Sequence, residues 1–231
     1  MRWKKETANC GRSVDGGKIP MGYYPIMVDM TGRRCLVIGG GAVAERKVAG
    51  LLEVGAAVTA ISPQITEKIS RWVRQGSIDV LAKDYEPGDL AGYEIVFAAT
   101  DDSEVNALVS EEAKSHGVWV NAADDAAHCD FILPSVLRRG ELTVAVSTGG
   151  NSPALSRAVR EELESYFTKD YEILARLAAE VREELRQRSI APDYETWRKA
   201  LGGDLRQLIA GGDLGGAKRL LLKELGAGLC E

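Results

Sequence analysis

Three short stretches carry residue types whose spacing could do chemistry. The first is Gly39-Gly40-Gly41-Ala42-Val43-Ala44, directly after the apolar run Cys35-Leu36-Val37-Ile38. A buried strand that stops at a glycine turn and opens into a helix turns free N–H groups and a positive dipole end outward, a setting for phosphate. Gly39 allows the turn, Gly41 has no Cβ to keep a phosphate off the backbone, and Ala44 lets helix and strand pack closely. The bare G-x-G-x-x-A pattern is common, so its strand-turn-helix context must confirm it. The second stretch is Asn121-Ala122-Ala123-Asp124-Asp125. Beside a bound redox cofactor, a carboxylate there could take a proton from a substrate while hydride leaves. Asp124 is the candidate base; Asp125 reads as a turn cap. The third is Ser147-Thr148-Gly149-Gly150-Asn151-Ser152-Pro153, small residues before a helix N-terminus, suited to a ligand carboxylate. Arg138, Arg139, Arg157 and Arg160 flank it, and at least half of them read as a solvated helix face. His116 ends a helix and reads as a surface residue. His128-Cys129 lacks the further ligands that make up the usual three or four of a metal site.

The elements that must position these stretches follow from periodicity. Tyr24–Asp29 reads as a short extended segment. Apolar runs at Cys35–Ile38, Ala57–Ile61, Ile78–Leu81, Tyr93–Ala98 and Val118–Val120 predict five strands. Helices are expected from the glycine turn to Gly55, from Thr66 onward, and over Ser103–His116 with Ser103 as N-cap. Strand-helix alternation at this spacing predicts an α/β chain with a Rossmann-type, doubly wound parallel sheet, because parallel neighbours need a crossover. Ligands sit beyond the carboxyl ends of such strands. Those ends carry Gly39, Gly41, Ala42 and Val43, then Ser62 and Pro63, Thr100 and Asp101, and Asn121, which makes these the candidate cofactor contacts. The second strand ends in Ser62-Pro63 rather than the Asp or Glu that binds a ribose hydroxyl, so the residues do not separate NAD from NADP.

After Asp125 the pattern changes. Phe131–Leu137 and Leu142–Ser147 read as a hairpin turning at Arg138–Glu141. Ser152-Pro153 opens a helix with an apolar stripe of Leu155, Ala158, Val159, Leu163, Tyr166 and Phe167. A further helix is expected over Tyr171–Leu185, then shorter pieces near Trp197, Leu205–Ile209 and Ala217–Leu225. The expected organisation is a disordered leader over 1–20, a dinucleotide-binding Rossmann domain over 21–125, a hairpin-plus-helix dimerisation and substrate segment over 126–168, and an all-helical region over 169–231. Met21, just before the foldable pattern, reads as an alternative start.

The chain has 231 residues and a formal net charge of −5, with basic residues spread along it, which argues against nucleic acid as a partner. Its four cysteines, Cys10, Cys35, Cys129 and Cys230, lie far apart and read as reduced thiols. No apolar run approaches the roughly 20 residues of a membrane span, and no signal-peptide core opens the chain. The expected location is the cytoplasm.

Several stretches together resemble a known family. They are Tyr24-Pro25-Ile26, Val37–Lys47, Ala98–Asp102, Asn121–Asp124, Phe131-Ile132-Leu133-Pro134-Ser135 and Val144–Pro153 followed by Ala154-Leu155-Ser156-Arg157. In this order, over about Tyr24 to Phe167, the chain is similar to the precorrin-2 dehydrogenase family, which comprises stand-alone enzymes and the N-terminal module of siroheme synthase. The run from Ala145 through Arg157 is the most specific part of the match. The chain stops before a second, methyltransferase module, which points to the stand-alone form. The resemblance implies NAD-dependent oxidation of precorrin-2 to sirohydrochlorin, toward siroheme or cobalamin, with Asp124 as catalytic base. Substrate contacts are expected at Pro134, Ser147, Thr148, Gly149, Gly150, Ser152 and Arg157, with Arg138 and Arg139 helping to receive a polycarboxylate. Thr148 stands where the fused enzyme carries a serine that can be phosphorylated. The resemblance also implies a homodimer built through about Phe131–Phe167, without a resident metal or a membrane. Two alternatives stay open: a bifunctional enzyme that also inserts Fe2+ or Co2+ into sirohydrochlorin, and an NAD-sensing regulatory module without turnover, which would leave the third stretch without a task.

Overall fold

The computed structural model describes residues 22–123 and 129–227. The leader expected over 1–20 lies outside the described residues, as do Asp124, Asp125, His128, Cys10 and Cys230.

The first half builds one sheet. In chain order come β1 (Arg34–Ile38), α1 (Ala42–Glu53), β2 (Ala57–Ile61), α2 (Glu67–Arg74), β3 (Asp79–Leu81), β4 (Ile95–Ala98), α3 (Ser103–His116) and β5 (Trp119–Ala122). All neighbours pair in parallel, in the order β3-β2-β1-β4-β5. Cys35, Leu36, Val37 and Ile38 of β1 are wholly buried, because the central strand is covered on both faces. Side chains alternate across it. Cys35, Val37, Ile95 and Phe97 pack with Ala44, Val48 and Leu51 of α1 and Ile69 of α2. Leu36, Ile38, Val96, Ala98 and Val120 pack with Val109 and Ala113 of α3 on the other face. The doubly wound reading holds, and the reversal of strand order puts its crevice between the carboxyl ends of β1 and β4.

Tyr24–Asp29 has no regular secondary structure. The N-cap of α3 is Asp102 rather than Ser103. The Thr100 hydroxyl donates to the Asp102 carbonyl at 2.9 Å and accepts the Asp102 N–H at 3.2 Å, which keeps Asp102 extended. Its carboxylate then accepts the N–H groups of Glu104 and Val105 at 2.8 and 3.3 Å.

Beyond the sheet, β6 (Ser135–Arg139) and β7 (Leu142–Val146) form an antiparallel hairpin. Gly140, with φ +56°, opens its two-residue turn, as a tight hairpin favours. Next come α4 (Pro153–Tyr166), α5 (Asp170–Gln187), α6 (Tyr194–Ala200), α7 (Gly203–Ala210) and α8 (Leu214–Glu224). Leu177, Val181, Leu185, Leu205, Ile209 and Leu221 give α5 to α8 a core of their own. The hairpin and α4 have none. Leu137 is the buried apolar residue of the hairpin, and the buried residue of α4 is Ser156. Among the described residues, no helix is long and apolar enough to cross a membrane.

Candidate functional site at the carboxyl edge of the sheet

Gly39, Gly40 and Gly41 differ in what constrains them. Gly39 has φ +117°, and a Cβ there would stand 2.4 Å from the Ala99 carbonyl oxygen, where the ends of β1 and β4 close together. Gly40 is pressed by the loop after β2: its Cβ would lie 1.8 Å from the Gln64 oxygen and 2.7 Å from Ser62 Oγ. That contact is held by Thr66 N–H donating to the Gly40 carbonyl at 3.0 Å. Gly41, the N-cap of α1, has φ −82° and open space around the Cβ it lacks. No side chain caps this helix start. Gly41 and Ala42 are exposed and Val43 half-buried, so the first-turn N–H groups face an open crevice. The Thr66 hydroxyl, then Lys68, hold the Glu45 carboxyl below the ordinary carboxylate range and tie it to the start of α2.

The other strand ends complete the edge. Ser62 spends its hydroxyl on the Gln64 carbonyl at 2.6 Å, while Pro63 is exposed. Thr100 is clamped by Asn106, a buried residue of α3. The Asn106 amide donates to the Thr100 carbonyl at 3.0 Å, and its oxygen accepts the Thr100 N–H at 3.3 Å and shares the single Thr100 hydroxyl proton with the Asp102 carbonyl, each oxygen 2.9 Å from the hydroxyl. Asp101, next to Thr100, is exposed.

Asn121 is brought to this edge, but its side chain is engaged within the chain. Its amide donates to the Phe131 carbonyl at 3.0 Å, and its oxygen accepts from Lys47 Nζ at 3.0 Å. Ala123 N–H donates to the Ala98 carbonyl at 2.8 Å, so the described chain stops beside the end of β4. It resumes at Cys129, whose thiol accepts the Ala122 N–H at 3.1 Å. Asp130 follows, exchanging bonds with Val120 at 2.9 and 3.0 Å. The expected base, Asp124, lies outside the described residues and follows Ala123 in the sequence. Cys129 serves as a hydrogen-bonding thiol, and burial pushes the Cys35 thiol up to about 11. Among the described residues no cluster of three metal-ligating side chains occurs.

The third stretch forms a self-bonded loop at the head of α4. The Thr148 hydroxyl donates to the Ser152 carbonyl at 3.0 Å, accepts the Ser152 N–H at 2.9 Å, and meets Ser156 Oγ at 3.2 Å. Ser152 caps the helix through the Leu155 N–H at 3.2 Å, and Ser147 Oγ accepts the Gly149 N–H at 3.1 Å. Gly149 and Gly150, with φ +64° and +84°, are exposed, and Pro134 is half-buried before β6. The arginines are engaged too. Arg138 pairs with Glu53 at 2.8 Å and Arg157 with Glu161 at 2.8 Å, while Arg139 donates to the Phe167 carbonyl at 2.7 Å. Arg160 pairs with Glu161 and Glu164. A cationic cleft would have to draw these groups from their present partners.

Sequence reasoning passed over Gly40 and Lys47. Gly40 is the most tightly enclosed of the three glycines, which only the fold of the β2–α2 loop reveals. Lys47 had a visible sign: it lies three residues after Ala44 and four before Leu51, a cation on the stripe that faces the sheet.

Two family models match the chain. Residues 26–135 match a putative NAD(P)-binding module, and residues 139–166 match the central module of sirohaem biosynthesis proteins. The siroheme synthase of Methylococcus capsulatus is 40% identical over 205 residues, 88% of this chain and 43% of that protein. Along most of its length the chain is therefore similar to siroheme synthases. The siroheme synthase of Nitrosococcus oceani is 40% identical over 194 residues, 83% of this chain and 42% of that protein. The chain thus spans less than half the length of these curated relatives. Among solved structures, SirC, a precorrin-2 dehydrogenase, superposes with a TM-score of 0.68 at 28% identity, covering 88% of this chain and 98% of its own.

Proposed function

We propose that this chain oxidises precorrin-2 to sirohydrochlorin, with NAD as hydride acceptor and Asp124 as base. Gly41 carries the reading: an exposed glycine with ordinary φ, at the uncapped head of a helix in the switch-point crevice, with empty space where its Cβ would be. Among the described residues nothing requires glycine there, whereas a pyrophosphate lying against the backbone does. The remaining residues fit the same group. Gly39 and Gly40 shape the turn, the N–H groups around Ala42 and Val43 face outward, and Ser62, Pro63, Thr100, Asp101 and Asn121 stand along the edge where the rest of a dinucleotide would run. Because Ser62 and Asn121 are already bonded within the chain, they act chiefly by holding backbone groups in place. The likeness to SirC, a precorrin-2 dehydrogenase covered over 98% of its length, supports the same reading.

Oxidation removes two hydrogens from the macrocycle, one as hydride and one as a proton. NAD, when bound, supplies the acceptor for the hydride. Asp124, two positions after β5 in the sequence, takes the proton, and a single positioned carboxylate suffices for that step. Pro134, the loop Ser147–Ser152 and Arg157 receive the substrate's carboxylates. With the Thr148 hydroxyl committed to Ser152 and Ser156, the loop would do so largely through backbone at Gly149 and Gly150. On this reading residues 21–125 bind the dinucleotide, 126–168 meet substrate and partner subunit, and 169–231 form a separate helical unit. The partner is a second copy of this chain, because the hairpin and α4 lack a core and leave Leu133, Val136, Leu155 and Tyr166 exposed. The buried, unoxidised thiol of Cys35 suits a reducing cytoplasm.

The test is turnover of precorrin-2 with NAD, followed as NADH and sirohydrochlorin. Asp124→Ala should abolish it while keeping NAD affinity and melting temperature. Retained turnover would remove Asp124 from its role. A parallel arm with sirohydrochlorin and Co2+ or Fe2+, without NAD, reports whether the same site also inserts metal as a second substrate.

A further inference from the structure

Lys47 and Asn121 belong to a closed circuit of side chains that runs through four segments of the fold. Lys47 Nζ, from α1, donates to Asn121 Oδ1 on β5 at 3.0 Å. The Asn121 amide donates to the Phe131 carbonyl, beyond the return of the chain, at 3.0 Å. The Phe131 ring meets the Phe97 ring of β4 edge to face, with centroids 5.7 Å apart and planes at 89°. The Lys47 ammonium lies 5.5 Å from the Phe97 centroid, which closes the circuit. Phe97 and Asn121 sit side by side in register, on the face that α1 covers.

A lysine is an expensive choice for this place. The position is half-buried on an apolar stripe, and a long aliphatic residue would fill it without desolvating a cation. What the ammonium adds is a fixed bond between the helix whose head lies in the crevice and the strand whose end leads to Asp124. We infer that Lys47 is a positioning residue: through Asn121 and Phe131 it holds the end of β5 in register with the nucleotide-binding helix. The inference rests on the proposed dehydrogenase reading for its catalytic consequence, and on the circuit alone for its structural one.

Lys47→Met keeps length and removes the donor. Hydrogen exchange of the full chain, without cofactor, should then speed up about tenfold at Val120, Ala122 and Asp130, as loss of one hydrogen bond to a charged group allows. Exchange along β1 should stay unchanged. In turnover, kcat should fall ~10- to 100-fold, the effect of misplacing a reacting group by a fraction of an ångström to an ångström, while the dissociation constant for NAD changes little. Lys47→Arg, which keeps a donor and a cation over the ring, should restore most of both. Lys47→Met combined with Asn121→Leu should cost less than the two single changes taken together, because both break one shared bond. Unchanged exchange at Val120, Ala122 and Asp130 would overturn the inference, as would effects of the two substitutions that multiply, or NAD affinity falling in step with kcat. A wild-type chain without turnover would sink the proposed activity instead, and the exchange comparison would still decide the circuit.

Discussion

Gly40 and Gly41 are neighbours of one type with opposite reasons for being small. Gly40 is buried against the β2–α2 loop, and a methyl group there overlaps the Gln64 carbonyl, a backbone atom that cannot turn aside. Gly40→Ala should therefore lower stability by about 1–3 kcal/mol or more through overpacking, read from chemical denaturation. Gly41 has space for a methyl group and a φ that alanine accepts. Gly41→Ala should leave stability within about 0.5 kcal/mol, as surface changes usually do. It should weaken NAD binding about tenfold, a loss near 1.4 kcal/mol, measured by calorimetry. A Gly41→Ala chain that binds NAD as tightly as wild type would remove the pyrophosphate from that spot. The sequence pattern treats these residues as one motif. The difference between them is long-range, because it depends on a loop more than twenty positions downstream.

At the scale of elements, α3 shows how a helix start can set a ligand-facing turn. Its cap, Asp102, and its buried Asn106 both work on the turn that follows β4, but they do separate jobs. Asp102→Ala removes only a cap and should cost about 1 kcal/mol, with little change in cofactor affinity. Asn106→Leu strips the Thr100 carbonyl of its donor and the Thr100 N–H of its acceptor in a site that is 8% exposed. It should cost about 1–3 kcal/mol for the groups left unpaired, and weaken NAD binding as well because the turn loses its shape. Equal effects of the two changes on NAD affinity would show that the clamp has no bearing on the crevice. The elements themselves were largely legible, since apolar runs of β1, β2 and β4 and the stripes of α1, α3 and α5 are local patterns. The tight bond set around Thr100 was not. Asp102 and Ser103 are both good caps by type, and only the Thr100 hydroxyl decides between them. Asn121 was readable as a polar residue at a strand end, but its commitment to Lys47 and Phe131 depends on partners 74 positions before it and 10 after it. The arginines around the third stretch were visible as charge, whereas their pairing with Glu53 and Glu161 depends on the packing of separate elements.

For the whole molecule the unresolved balance is burial. The sheet domain and the C-terminal helices each close around a core, and between them the hairpin and α4 present apolar surface outward. On α4, Leu155 is 53% exposed and Tyr166 61%, while the residue turned inward is a serine bonded to Thr148. This inverts the order that burial of a lone amphipathic helix would select, and it becomes the ordinary order once a second copy covers the stripe. In the proposed dimer an isologous contact would set each α4 against the partner's hairpin or α4, so that one substitution would change the interface twice. Leu155→Glu places a charge at that surface and adds it to the acidic run Glu161-Glu162-Glu164. Sedimentation velocity should show the wild type as a dimer and the variant as a monomer whose α5–α8 core and sheet remain folded by circular dichroism. Precorrin-2 turnover should fall with the dimer, since the loop that opens α4 is part of the proposed substrate site. A wild type that sediments as a monomer, or a monomeric variant with full turnover, would dissociate the exposed stripe from function and leave the site complete within one chain.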